Sequence, residues 1–240
     1  HRDLHSFPIR RSSDLWQMIN GFLGTLLLGV VVASLFTGSE FTVGKSNIAG
    51  VELSAVTISR WQNSLHGLEL LGNVRNLCLG LAVLFLARTL ASLFFVNRLD
   101  HDLLEKRSRK FALYNGVPFL LFFLIFLIRT LLAEGYAIDP QTEVVSLEKM
   151  KYLHNFLEMP VVLLLFLLGV VAVLYGIIAT VLRPTFKKGI WFSGIGTVVT
   201  VSMLFLAAGY NNTAFYPSTV DLQSFCQRSE ERRVGKECRS

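Results

Sequence analysis

Residues 73–110 read NVRNLCLGLAVLFLARTLASLFFVNRLDHDLLEKRSRK, and their reading decides the fold. From Leu77 to Val96 the chain is apolar except for Thr89, Ser92 and one charge, Arg88. At about 1.5 Å per residue, a helix of that length crosses the roughly 30 Å hydrocarbon layer of a bilayer. Directly after it come Arg98, Lys106, Arg107, Arg109 and Lys110, the concentration of positive charge that marks the cytoplasmic end of a span. Working outward, four more such runs appear, at 16–36, 111–132, 159–182 and 190–210. The expected fold class is all-α: a polytopic transmembrane helix bundle with five spans, the second at 77–96.

Composition agrees. The hydrophobic share is 52% and is gathered into long runs, which separates the chain from a soluble domain. The formal charge of +6 does not indicate nucleic acid. Residues 1–15 and 228–240 hold eight Lys/Arg against five acids, half of the excess, and the other cations gather in short loops between spans. Cys78 begins a membrane run, and Cys226 and Cys238 fall near the C-terminal end, with neither an even framework nor a C-x-x-C. No disulfide scaffold or thiolate metal site is expected.

The two ends differ from what lies between them. HRDLHSFPIRRSSDL (1–15) and RSEERRVGKECRS (228–240) are polar. Back-translated, they can be written as opposite strands of one DNA segment, and both resemble translated sequencing adapters. The expectation is that 1–15 and 228–240 are artefact and that 16–227 is a membrane-domain fragment.

Between the spans lie two short loops and two long ones. Loops 97–112 and 183–188 carry eight Lys/Arg in 22 residues, whereas 37–73, 133–158 and 211–227 carry four in 80. The short loops are therefore expected on the cytoplasmic side. The long loops show turn signals at Gly38, Gly44, Gly50 and Asp139-Pro140, with short helical patterns over 61–71 and 145–156. Tyr136, Tyr152, Trp191, Tyr210 and Tyr216 fall at span ends, as interfacial aromatics do. Gly29 with Ala33, and Gly169 with Ala172 and Gly176, form small-residue faces for close helix packing.

Arg88 is where the sequence accepts an energetic cost, about 2.5 kcal/mol or more for a central arginine in lipid. Three readings are open: an ion pair with a helix outside 16–227, contact with a quinone head group or proton path, or snorkelling to the interface. His66, His101 and His154 all lie in loops, so no histidine is placed to ligate a haem iron within a span. His154 and Glu158 are four apart on a predicted helix, a spacing read as a surface hydrogen bond because a metal site needs more ligands. No metal site is expected. Gly194-Ile-Gly196 is read as a packing feature rather than a phosphate loop, and Asn211-Asn212-Thr213 as a weak glycosylation sequon. A secondary transporter is the alternative, but the runs show no inverted repeat.

Three stretches carry a resemblance. GYNNTAFYPSTVDLQS (209–224), with Asn211, Asn212, Tyr216, Pro217 and Ser218, resembles an outer-side turn after a late span of cytochrome bd-type quinol oxidase subunit II. KYLHNFLEMP (151–160) resembles that family's helix start, an Asn-x-x-x-x-Pro formed here by Asn155 and Pro160. WQNSLHGLELL (61–71) is similar to its loop into the next span. The resemblance implies a non-haem membrane subunit of a quinol:oxygen oxidoreductase in the bacterial cytoplasmic membrane, not catalytic alone. It further implies a heterodimer with a larger subunit I that holds haems b and d, a quinone or quinol in the complex, lipid around it, and a part in assembly and in proton or oxygen access. Because the family's acidic N-terminal helices have no counterpart in 16–227, no proton-channel residue is assigned.

Overall fold

The computed structural model describes residues 7–46, 56–139, 144–214 and 216–220; the stretches 1–6 and 228–240, together with Gly50, Pro140, Phe215, 221–224, Cys226 and Cys238, lie outside the described residues. Among the described residues, five helices are long and apolar enough to cross a membrane. In chain order they are α1 (Phe7–Thr37), α2 (Val74–Arg98), α3 (Asp102–Leu132), α5 (Pro160–Leu182) and α6 (Gly189–Gly209), with a short α4 (Lys151–Glu158) lying before α5. The chain is a multi-pass membrane protein.

Every expected run is helical, but two helices outrun it. α1 runs back to Phe7, and α3 begins at Asp102, so most of the basic stretch 97–112 is helix and the true turn is Leu99–His101. Its composition explains this. Asp102 and Glu105 sit in the first turn of α3, where the positive end of the helix dipole favours them, and no Gly or Pro interrupts residues 102–110.

The long loops differ more. β1 (Phe41–Ser46) pairs with β2 (Val56–Trp61), and β3 (Glu134–Ile138) with β4 (Val145–Lys149), each as an antiparallel hairpin. The predicted helix over 61–71 is therefore the end of a strand, a turn and a 3-10 helix, Leu68–Gly72. His66 at φ 49° and Gly67 at φ 100° break any α-helix there. The predicted helix over 145–156 is also split. Val145-Ser-Leu-Glu-Lys alternates as a strand, and Met150 at φ 57° turns the chain into α4. These hairpins leave the all-α class intact, because they lie outside the spans.

Glycine sets the two closest helix crossings. At Gly29 an added Cβ would stand 2.7 Å from the Cα of Gly80, so α1 and α2 meet backbone to backbone, with Ala33 fully buried one turn on. An added Cβ at Gly169 would meet Gly196 O at 3.0 Å, and one at Gly196 would meet Gly169 O at 2.7 Å, which seats α5 on α6. Gly194 has nothing within 4 Å, so only the second glycine of that pair packs. α2 lies along α3 with Phe85 stacked on Phe122 at 6.0 Å, and Gly116 of α3 admits Ile177 of α5. Toward the end where α1 finishes, Phe36, Phe126 and Tyr152 meet edge to face, at 5.8 and 5.2 Å from Phe36.

Gly29→Leu is expected to destabilise the purified chain by about 1–3 kcal/mol through overpacking, read as a lower thermal midpoint in detergent. Gly21→Leu, where an added Cβ has nothing within 4 Å, should leave that midpoint in place. Equal effects at the two positions would contradict the crossing described.

Candidate functional site

The polar side chains gather at the two ends of the bundle. At one end α2 and α3 meet the turn between α5 and α6, and Arg109 of α3 is the centre. Although arginine is nearly always exposed, this one is 9% exposed. Its guanidinium donates to the backbone carbonyls of Thr180, of Arg183 at 3.0 Å and of Pro184 at 2.7 Å. It also pairs with Glu105, one turn earlier, at 2.7 Å. These carbonyls close the C-terminus of α5, where backbone acceptors have no helical partner and the dipole is negative. Lys187 adds a looser pair with Asp100 at 3.1 Å and reaches Glu105 at 3.4 Å. Asp100, and Glu105 after it, hold the Lys187 amine above its ordinary value. The sequence reading took these cations as a topology signal only; the fold brings the two basic loops to the same end and buries one of their charges.

The family motifs meet at the opposite end. Asn155, fully buried on α4, donates to Ala207 O at 2.9 Å and to Thr213 Oγ1 at 2.7 Å. Asn211 reaches back to Asn155 Oδ1 at 3.4 Å and to the carboxylate of Glu158. Asn211 and Asn212 both stand at positive φ, 58° and 53°, a left-handed turn that asparagine tolerates better than most residues. The chain then runs as a strap beside the hairpins. Asn212 O accepts from Ile138 N at 2.7 Å, and Ala214 N donates to Tyr136 O at 2.9 Å. Further along, Pro217 O accepts from Ser39 N at 3.1 Å, Tyr216 stacks on Phe41 at 5.5 Å, and Ser218 Oγ donates to Phe41 O. Pro160 stands apart from this network as the first residue of α5, where its missing N–H costs nothing.

Sequence reasoning missed several of the residues that hold this end. Tyr152 is fully buried rather than interfacial, and its hydroxyl donates to Phe36 O at 3.0 Å. Burial pushes its phenol up, as it does that of Tyr136. Thr37 donates to Asn76 Oδ1 at 2.8 Å, and Asn76 in turn to Leu70 O at 3.2 Å, which ties α1 to the start of α2. Only the spacing Tyr152, Asn155, Phe156, one face of a short helix, could have signalled α4's buried side.

The described residues contain no group of three His, Cys, Asp or Glu side chains that could hold a metal ion. His154 Nε2 lies 2.6 Å from Glu158 Oε1 on an exposed surface, the hydrogen bond that their spacing suggests. Among the described residues, His66 stands in the turn before the 3-10 helix, His101 at the cap of α3 and His154 on α4.

Residues 3–231 match the family described as cytochrome bd terminal oxidase subunit II. The chain belongs to that family. No curated protein matches it. Membership makes this bundle a membrane subunit of a bd-type respiratory oxidase, a complex that includes another subunit. The strap 211–218 is then the resemblance motif seen in three dimensions: Asn211 holds it to α4, Asn212 to β3, and its Tyr-Pro-Ser turn locks onto the exit from α1.

Two predictions follow from these ends. Arg109→Leu removes Glu105's closest partner, leaving it only the looser Lys187, and uncaps the carbonyls at the end of α5, an expected loss of about 1–3 kcal/mol, read by denaturant unfolding in detergent; Arg109→Lys, which keeps the charge but not the fork, should recover only part. At the strap, the Asn211 amide holds the Glu158 carboxyl below its ordinary value against desolvation, and His154 helps. A depressed folded value means that the contribution is present above the ordinary carboxylate range, near pH 4.3, and is lost as the pH falls through the folded value. Limited proteolysis should therefore release the strap on acidification, and Glu158→Gln should make its release independent of pH.

Proposed function

We propose that this subunit is the haem-free half of a quinol:oxygen oxidoreductase in the bacterial cytoplasmic membrane. It holds a larger, haem-bearing subunit I and shapes proton or oxygen access to it. Electrons pass from ubiquinol or menaquinol through haems b and d to oxygen entirely within the partner. The family match over residues 3–231 carries the reading. Two features support the division of labour: the histidines stand outside the apolar runs, and the polar side chains of the described residues are spent largely on joining helices at the two ends. The basic end, with loops 97–112 and 183–188, faces the cytoplasm by the excess of lysine and arginine.

In this reading Arg88 belongs to the interface with the rest of the complex rather than to a redox centre, and Asn155, Pro160, Asn211, Asn212, Tyr216, Pro217 and Ser218 serve structure at the outer surface. Surrounding lipid solvates the remaining apolar faces. Nucleic acid has no part.

The test is co-purification. The full subunit, tagged and expressed with its partner gene, should bring down a second chain together with a reduced-minus-oxidised haem spectrum, and should carry no haem when expressed alone. Haem bound to the tagged chain alone, or a tagged chain that recovers no haem-bearing partner, would overturn the proposal.

A further inference from the structure

The excess of cations on the basic loops accounts for one end of the bundle, yet α2 and α3 each bring an arginine to the other end. Arg75 stands in the first turn of α2 and Arg129 in the last turn of α3. Neither makes an ion pair or a side-chain hydrogen bond with the described residues. Carboxylates at this end bond elsewhere: Glu69 accepts from Gly67 N at 2.8 Å, Glu148 pairs with Lys151 at 3.2 Å and Glu158 lies 2.6 Å from His154.

Helix packing brings the two side chains to one place. Phe85 of α2 stacks on Phe122 of α3 at 6.0 Å. Seven residues outward from each ring, two helical turns, lie Cys78 and Arg129. Arg129 therefore stands across from Cys78, about one turn from Arg75, with Thr130 at the same level. Two buried side-chain atoms here have no hydrogen bond, Arg75 Nη1 and Thr130 Oγ1, and Thr130 is only 2% exposed. Such atoms are costly to bury and would hold a ligand oxygen firmly. The charge of Arg75 offsets part of the rise that burial gives the phenols of Tyr136 and Tyr152, which places its guanidinium near β3 and α4. Arg75 itself is half-buried and Arg129 is exposed. From Arg129 toward the middle of the membrane, Leu132, Ile128, Leu124, Leu121 and Val117 form an unbroken exposed apolar stripe on α3.

We propose that Arg75 and Arg129 clasp the phosphate of a phospholipid with a net-negative head group, in the leaflet at this end, and that its acyl chain lies along the α3 stripe. Charge and depth select the occupant. Two guanidiniums a turn apart call for an acceptor with more oxygens than one carboxylate offers, and the arginine fork matches phosphate. A protein carboxylate would serve one fork and leave the other. Arg129 is three residues, about 4.5 Å, from the end of α3, the level of head groups rather than of acyl chains. A phospholipid also presents phosphate and then hydrocarbon in the order in which the arginines and the stripe follow each other inward. Inorganic phosphate would meet the arginines alone, and a zwitterionic head group would set its own cation against them.

The experiment uses the full subunit with the chains that co-purify with it, stripped of lipid in detergent and titrated with phosphatidylglycerol under native mass spectrometry. Arg75→Gln combined with Arg129→Gln should weaken one retained phosphatidylglycerol by about tenfold or more. Arg98→Gln combined with Lys188→Gln, two exposed cations at the opposite end, should leave it in place. Phosphatidylcholine should bind the wild type more weakly. Equal loss from both double variants, or equal binding of the two lipids, would overturn the proposal. So would inorganic phosphate that displaces phosphatidylglycerol at equal concentration, which makes this a free-anion site, or a Gln pair that sheds a co-purifying chain yet keeps the lipid, which makes the acceptor a protein carboxylate. A readout on the wild type needs no variant to fold: phosphatidylglycerol with a photoreactive acyl chain should label residues 117–132, and labelling confined to other segments would contradict the site.

Discussion

The guanidinium of Arg109 is the contact on which the arrangement of the two helix groups most depends. α1, α2 and α3 form one layer, with α1 against α2 and α2 against α3; α5 and α6 form the other, joined by glycine-mediated backbone contact. Between the layers the apolar contacts are fewer, as where Ile177 fills the space over Gly116. Arg109 crosses from α3 to the end of α5 and binds several carbonyls there at once. In a low-dielectric setting a group of this kind must be fully paired or it is costly. Glu105 and the carbonyls provide that pairing, and in doing so they fix the relative height of α3 and α5.

The opposite end solves the same problem with neutral groups. Tyr152 on Phe36, Asn76 between Thr37 and Leu70, and Asn155 between Ala207 and Thr213 each place one buried polar side chain across two segments. Most of these bonds satisfy a group at a helix terminus, where the helical ladder leaves acceptors and donors unpaired, and Asn155 also reaches Thr213 in the strap. The strap and the hairpins are the material from which these bonds are made. Among the described residues of the spans, most polar side chains bond within their own helix, as Thr89 does on Phe85, Thr197 on Ser193 and Asn115 on Phe111, while Ser193 crosses from α6 to Val173 of α5. Arg88 is a charge near the middle of a span, and it is exposed at the surface of the bundle.

Membership of a terminal-oxidase family sits well with a subunit of this construction. Both ends of the bundle are closed by polar side chains that join separate helices.

Much of the fold was legible in the residues, for a physical reason. In a bilayer every backbone N–H and C=O must be satisfied within its own segment, so an apolar run of twenty or so residues has one solution, and 77–96, 159–182 and 190–210 became helices nearly to the residue. Gly29 and Gly169 could likewise be read as close-packing sites, because only small side chains let backbones touch without a hydrophobic drive. The loops were less legible. Val145–Lys149 and Val56–Trp61 became strands because the preceding strand folded back opposite them as a hairpin. No local pattern distinguished Arg109 from Lys106, Arg107 or Lys110, or Tyr152 from Tyr210. Which cation is buried, which tyrosine is inside, and which face of α2 is left bare depend on how the helices are brought together, and only the tertiary structure decided that.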